Sequence, residues 1–327
     1  MKGRDALNSR ARWPGRPFRT RSACVGDPTS STISSAPPFR KGGRRLGADL
    51  TTTPSFDWRN FAIRAASGLV LAATALGAIW VYNWPQPLWR APFLAMISIG
   101  AVLLSIEWSA MASPHAGSRV TTVMSVAVVG VVLLAFVGQF ALAWSLIGMG
   151  AVAAALVVGR GGDRAIDAAY GVLYIAPACL VLVWLAGSAQ GSGWTLMLFA
   201  CTWAADSCAF IVGNALKGPL LWPRWSPKKT WSGFFGGLVG ATAASVGVAA
   251  AFMRLSLVGA AVIGLICGLA TMGGDLWESM LKRRYGVKDT GALIPGHGGL
   301  LDRVDGLMFA VMVVAAARLI VHVGFRH

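Results

Sequence analysis

The chain has 327 residues, 55% of them hydrophobic and only 13% charged, about half the charge of a typical soluble domain. Its unbroken apolar runs reach the roughly 20 residues that cross a hydrocarbon core. They are too long and too unalternating for barrel strands of about 10 residues, so the expected fold class is all-α, a polytopic membrane protein. The net charge of +16 does not require a nucleic-acid partner. Residues 1–57 carry eleven Lys/Arg against four Asp, or +7, leaving +9 for the rest. Basic loops beside an anionic leaflet and a phosphate-bearing ligand account for that remainder.

Residues 1–57 are rich in Arg, Ser, Pro, Gly and Thr and lack apolar periodicity, the composition of a disordered basic extension. The same Arg- and Ser-rich, acid-poor makeup also resembles an organellar transit peptide, or a segment ahead of the true start; it has no apolar core of a secretory signal. Residues 58–327 form the membrane domain. Nine spans are expected, at about 61–81, 91–111, 120–138, 140–158, 169–187, 194–213, 233–253, 256–272 and 306–323. Trp80, Trp84, Trp89 and Trp194 fall near span ends, as an aromatic belt requires. Cys24, Cys179, Cys201, Cys208 and Cys267 show no CxxC spacing, and mostly sit in apolar runs as small core residues.

Two interspan regions, 214–232 and 273–305, are long and polar. Two spans separate them, so parity puts both on one side, and the positive-inside rule makes that side cytoplasmic. The loops with Arg119, Arg160 and Arg164 share it; Arg90 is then the one basic residue on the other side. The expected architecture is therefore about nine transmembrane helices around a cytoplasm-facing polar cavity.

The second region is the densest in charge. At helical spacing Asp275, Glu278, Ser279 and Lys282 share one face, with Leu276, Trp277, Met280 and Leu281 opposite. A plain i,i+4 pair of Glu278 with Lys282 would explain part of the stripe, but a carboxylate at membrane depth faces a cavity or a partner. Asp302 and Asp305 precede the last span, where acids cap a helix and complement its dipole. Two of them, beside Arg303 and after a Gly-rich turn, also suit a cation. Magnesium takes one or two carboxylates plus water and substrate phosphates, a pattern that Asp275 and Asp302 fit. His297 stands in Pro295-Gly296-His297-Gly298-Gly299, a turn whose amides can hold an anion or simply return the chain to the membrane.

In the first region, Ser226 or Thr230 can cap the following helix, placing Lys228 and Lys229 near a helix N-terminus suited to phosphate; plain positive-inside charge explains two lysines equally well. Asp206 lies inside an apolar span with Asn214 eight residues on, and neutral or paired burial is expected for it. The chain has no Walker loop, and no GxGxxG after a strand. The residues alone define a membrane enzyme or transporter whose cavity takes a metal and a phosphorylated ligand.

Ser279, Lys282, Arg283, Lys288, Asp289, Gly291, Pro295, His297, Gly298, Gly299, Asp302, Arg303 and Asp305 together resemble the signature of phosphatidate cytidylyltransferases. Gly274-Asp275-Leu276-Trp277-Glu278-Ser279 and Ser226-Pro227-Lys228-Lys229-Thr230 are similar to two further blocks of that family, and Asp206 falls where the family has an acid. The likeness covers about residues 60–327, with Ser232 where the family usually has Glu. It implies transfer of the cytidylyl group from CTP to phosphatidate, giving CDP-diacylglycerol and pyrophosphate, in phospholipid biosynthesis. It also implies catalytic roles for Asp275, Asp302, Lys282, Asp305 and His297, and substrate contacts from Ser226, Lys228, Lys229, Thr230, Ser279, Arg283, Lys288 and Arg303. Magnesium would sit on Asp275 and Asp302, with room for a second cation. The implied partners are CTP, phosphatidate and membrane lipids, without nucleic acid, and a homodimer is compatible. The implied location is a bacterial inner membrane with the site facing the cytoplasm, or an organellar membrane if residues 1–57 are a transit peptide. A CTP-dependent polyprenol or phytol kinase is the alternative, and a cation or organophosphate transporter a more distant one.

Overall fold

The computed structural model describes residues 70, 72–82, 87–159, 163–188, 190–291 and 298–324. Among the described residues a short apolar helix, α1 (Ala72–Tyr82), and a 3-10 turn (Pro87–Arg90) precede eight helices long and apolar enough to cross a membrane; much of the first expected span, 61–81, lies outside the described residues. These are α2 (Ala91–Ala112), α3 (Gly117–Phe136), α4 (Phe140–Val157), α5 (Ala165–Gly187), α6 (Gly191–Leu216), α7 (Trp231–Phe252), α8 (Leu257–Arg284) and α9 (Leu301–Gly324). The chain is an integral membrane protein. Apolar side chains such as Val126, Leu156, Ile211, Val239, Val258 and Ile320 are exposed on the helices, where only lipid gives them an apolar surround.

Helices α2–α5 pack on one another, α6–α9 form a second group in sequence, and α5 joins the two through α6 and α9. Within the second group small residues let backbones approach: a Cβ on Gly264 would meet Ser245 and the Ala241 carbonyl, and the Ser245 hydroxyl donates to the Ala260 carbonyl at 2.6 Å. Between the groups lies a partly buried aromatic set. Trp108, fully buried, packs against Tyr170, Tyr174 and Tyr285 and donates its indole N–H to the Asp167 carbonyl at 3.0 Å.

One end of the bundle collects the charge. There Arg284 at the end of α8 pairs with Asp167 at the start of α5, at 2.7 Å. Asp163 fastens the α4–α5 link to the α2–α3 link, accepting from the backbone N–H groups of His115 (3.0 Å) and Ala116 (2.8 Å) and pairing with the His115 ring at 2.8 Å. Helix α8, 28 residues long, measures roughly 42 Å. It outruns a hydrocarbon core of about 30 Å, and its last turns carry Lys282, Arg283 and Arg284.

The structure modifies several sequence expectations. Between α6 and α7 the chain forms a two-stranded antiparallel hairpin, β1 (Leu220–Trp222) and β2 (Ser226–Thr230), with Leu220 opposite Thr230 and Trp222 opposite Ser226. Trp222 and Trp225 stack at its turn with centroids 4.7 Å apart. Trp194 is not an interfacial anchor: α6 begins at Gly191, which carries Trp194 into the core at 2% exposure, whereas Trp80 is 67% exposed. Arg90 is not alone at its end of the bundle, because the α7–α8 link there carries Arg254 and the end of α9 carries His322. Cys179, Cys201 and Cys267 are buried and free, and Cys208 is half-buried.

Candidate functional site

A cavity of about 680 Å³ opens at the charged end of the bundle. Five parts of the chain build it: the last turns of α6 (Asp206, Asn214), the hairpin (Ser226, Lys228, Lys229, Thr230), the start of α7 (Gly233, Phe234), α8 (Asp275, Ser279, Lys282) and α9 (Asp302, Arg303, Asp305). Phe210, Phe234, Leu221 and Met272 give it an apolar side. The two polar regions, 40 or more residues apart in the chain, thus line one space.

Local structure places each group. Thr230 caps α7, its hydroxyl accepting from the Gly233 N–H at 3.1 Å. The Ser232 hydroxyl accepts from the Gly218 N–H at 3.2 Å and pairs with Thr230 at 3.0 Å. This fixes the foot of the hairpin, so Lys229 leans across to Asp275 at 2.8 Å. On α8, Asp275, Ser279 and Lys282 face the cavity as the helical period requires. Glu278 stands about 60° round from Asp275 and is fully buried, its carboxyl oxygens without a hydrogen-bond partner among the described residues and 3.7 Å from Lys282. The i,i+4 contact is there, but Glu278 does not line the cavity.

Asp302 takes two donors. Its Oδ1 accepts from Lys282 at 2.6 Å and its Oδ2 from the Thr290 N–H at 3.2 Å. Helix α9 starts at Leu301, ahead of the span expected at 306, so both aspartates lie in its first turns. Neither acts as its main cap. That role falls to Glu107 on α2, 2% exposed, which accepts the Leu300 and Leu301 N–H groups at 2.7 Å each and the Thr290 hydroxyl at 3.5 Å. Glycine makes the α8–α9 crossing possible: a Cβ on Gly274 would sit 2.5 Å from the Asp305 carbonyl oxygen, and one on Gly306 would sit 3.2 Å from Asp275 Oδ1. That close approach brings Asp275 beside Asp305.

Asp206 lines the cavity together with Asn214, on α6, and its side chain is open to that space. Arg283 and Lys288 are exposed and outside the cavity lining. His297 lies outside the described residues, while Gly298 takes a left-handed φ of 84°, a conformation that favours glycine. Two residues stand outside the candidate set: Glu107 and Lys217, the latter one of the basic residues of region 214–232. The first is a lone acid between Ile106 and Trp108 in an apolar run, and an acid at that depth is itself a signal. The second caps α6 with φ 45° and lines the cavity.

The donors available for a metal are carboxylate oxygens, which suit a hard cation that keeps water and phosphate ligands. Asp275 and Asp302 each hold a lysine with one oxygen. Among the described residues no three His, Cys, Asp or Glu side chains gather into a ready-made cage.

The sequence matches the Cytidylyltransferase family over residues 62–321. A phosphatidate cytidylyltransferase of Pseudomonas aeruginosa is 34% identical over 269 residues, covering 77% of this chain and 95% of that protein. One from Brucella suis is 42% identical over 158 residues, covering 48% and 56%. One from Bacillus subtilis is 42% identical over 122 residues, covering 36% and 45%. Against the Brucella relatives the matched stretch thus spans a little over half their length. The match over residues 62–321, which takes in every wall of the cavity, and the near-full-length likeness to the Pseudomonas protein place this chain in the Cytidylyltransferase family.

Proposed function

We propose that the chain is a phosphatidate cytidylyltransferase that works at the cytoplasmic face of a bacterial inner membrane. The observation that carries this reading is the cavity itself. It sets Lys217, Lys228, Lys229, Lys282 and Arg303 against Asp206, Asp275, Asp302 and Asp305, at the membrane end of an apolar bundle. A triphosphate and a lipid phosphate both need such a lining, and the apolar side formed by Phe210, Phe234 and Met272 suits an acyl glycerol entering from the bilayer.

In the reaction a phosphate oxygen of phosphatidate attacks the α-phosphorus of CTP. The bond from that phosphorus to the β-bridging oxygen breaks, and pyrophosphate leaves. The nucleophile is already anionic near neutral pH, so no base has to take a proton from it. The protein's contribution is position and charge. Lys228 and Lys229, held on a strand braced by Ser232 and Thr230, and Lys282, held by α8, bring cationic groups to the phosphates. Arg303 adds a guanidinium from α9. Asp275 and Asp302 are the residues that would hold magnesium, which screens the charge of the triphosphate when bound. Ser279 and Asn214 supply uncharged polar groups for orientation.

Membranes containing the protein, incubated with labelled CTP, phosphatidate and magnesium, test the proposal. Labelled CDP-diacylglycerol is the expected product; its absence, or transfer of the γ-phosphate to a lipid alcohol, overturns it.

A further inference from the structure

A second cavity, of about 320 Å³, lies at the other end of the bundle, where α6 begins, α7 meets α8, and α9 ends. Arg254, Arg318 and His322 line it, with Trp194 and Met253 forming an apolar wall. No acid lines it, and neither arginine has a carboxylate within ion-pair distance among the described residues. Arg318 lies within α9, six residues from its end. Its Nε–H is shut off from solvent without a hydrogen-bond partner among the described residues. A guanidinium at that depth is costly and is normally matched by a counter-charge. The described residues supply none.

We propose that this cavity binds the phosphate of an anionic phospholipid in the leaflet opposite the larger cavity. Arg254, from the α7–α8 link, and Arg318, from α9, converge on one hollow, an arrangement suited to phosphate oxygens. Basic pockets between helices on the cytoplasmic side of membranes hold lipid headgroups in this way, and the same chemistry is available here. The wall of Trp194, 2% exposed, and Met253 favours a lipid over a free anion, since it offers apolar contact to the glycerol and first methylenes. No residue of the larger cavity takes part, so this site is separable from turnover.

The test uses the purified full-length protein in neutral detergent, titrated with dihexanoyl phosphatidylglycerol, dihexanoyl phosphatidylcholine or inorganic phosphate while thermal unfolding is followed. The anionic lipid is expected to raise the unfolding temperature saturably, with the other two giving no comparable rise. Arg318→Gln and Arg254→Gln are each expected to weaken the apparent affinity roughly tenfold, and Arg90→Gln, at the same end but outside the lining, to leave it unchanged. If Arg318→Gln fails to fold, Arg254→Gln, at an exposed position in the link, carries the test. An unchanged midpoint in Arg254→Gln overturns the site. An equal response to phosphatidylcholine shows that charge is not read, and an equal response to inorganic phosphate shows a free-anion site; either result overturns the lipid assignment.

Discussion

Glu107 and Leu301 stand 194 residues apart in the chain, yet the Glu107 carboxylate accepts the Leu301 N–H at 2.7 Å and so ties α2 to the first turn of α9. With the Leu300 N–H on its other oxygen, it satisfies two donors that a helix start otherwise leaves open. Replacing it with alanine strands both, at a cost of about 2–4 kcal/mol. Glu107→Ala is expected to lower the unfolding temperature and to cut CDP-diacylglycerol synthesis together. Glu107→Gln, which keeps an acceptor but loses the charge, should fall between the two. Unfolding curves and initial rates on the same preparations check this ordering.

Asp302 sits where that tie takes effect. Asp302→Asn retains an acceptor for Thr290 but loses the charge opposite Lys282. The expected result is a folded, membrane-inserted protein whose kcat drops by roughly two orders of magnitude or more. Substantial activity at saturating magnesium would argue against a metal role for this carboxylate.

The Gly274–Gly306 crossing is expected to tolerate no added methyl. In Gly274→Ala the new Cβ would lie 2.5 Å from the Asp305 carbonyl oxygen and 2.9 Å from Gly306 Cα, so α8 and α9 must move apart. A cost of about 1–3 kcal/mol is expected, with a larger fractional loss in kcat than in folded yield. Gly273→Ala, whose Cβ meets nothing within 4 Å, is the matched control.

Asp163 gives a pH-dependent prediction. Burial alone would raise its carboxyl, but the His115 ring and the backbone N–H groups of Ala116 and His115 outweigh this and hold it below the ordinary carboxylate value. A depressed pKa in the folded state stabilises at pH above the unfolded value of about 3.9 and loses that contribution as pH falls through the folded value. Wild type should therefore be more stable than Asp163→Asn at pH 6–7. The difference should shrink as pH falls below about 4, which unfolding temperatures across that range would show.

The part of the site that follows a helical period was legible. Asp275, Ser279 and Lys282 recur at that spacing, and span parity joined them to Lys228 and Lys229. Glu278 shows the limit of such a reading: a residue about 60° off the stripe is on the same broad face by count, but it is buried against α9. The hairpin was illegible because Leu220-Leu221-Trp222 is too short for a periodic signal and β2 is mostly polar. The bracing by Glu107 was hidden for a different reason. A tertiary contact between spans leaves no mark on the periodicity of either one, and only the anomaly of a carboxylate in an apolar run pointed toward it.

Inside the cavity the chain pairs its own charges: Lys229 occupies an oxygen of Asp275, and Lys282 an oxygen of Asp302. Each pair takes up donors of a lysine and lone pairs of a carboxylate that a phosphate or a cation would also use. A triphosphate that draws the lysines away exposes the carboxylates, and a cation that takes the carboxylates releases the lysines. On the proposed function, nucleotide and cation would thereby be thermodynamically linked through shared counter-ions. By reciprocity, each would then raise the affinity of the other by the same factor.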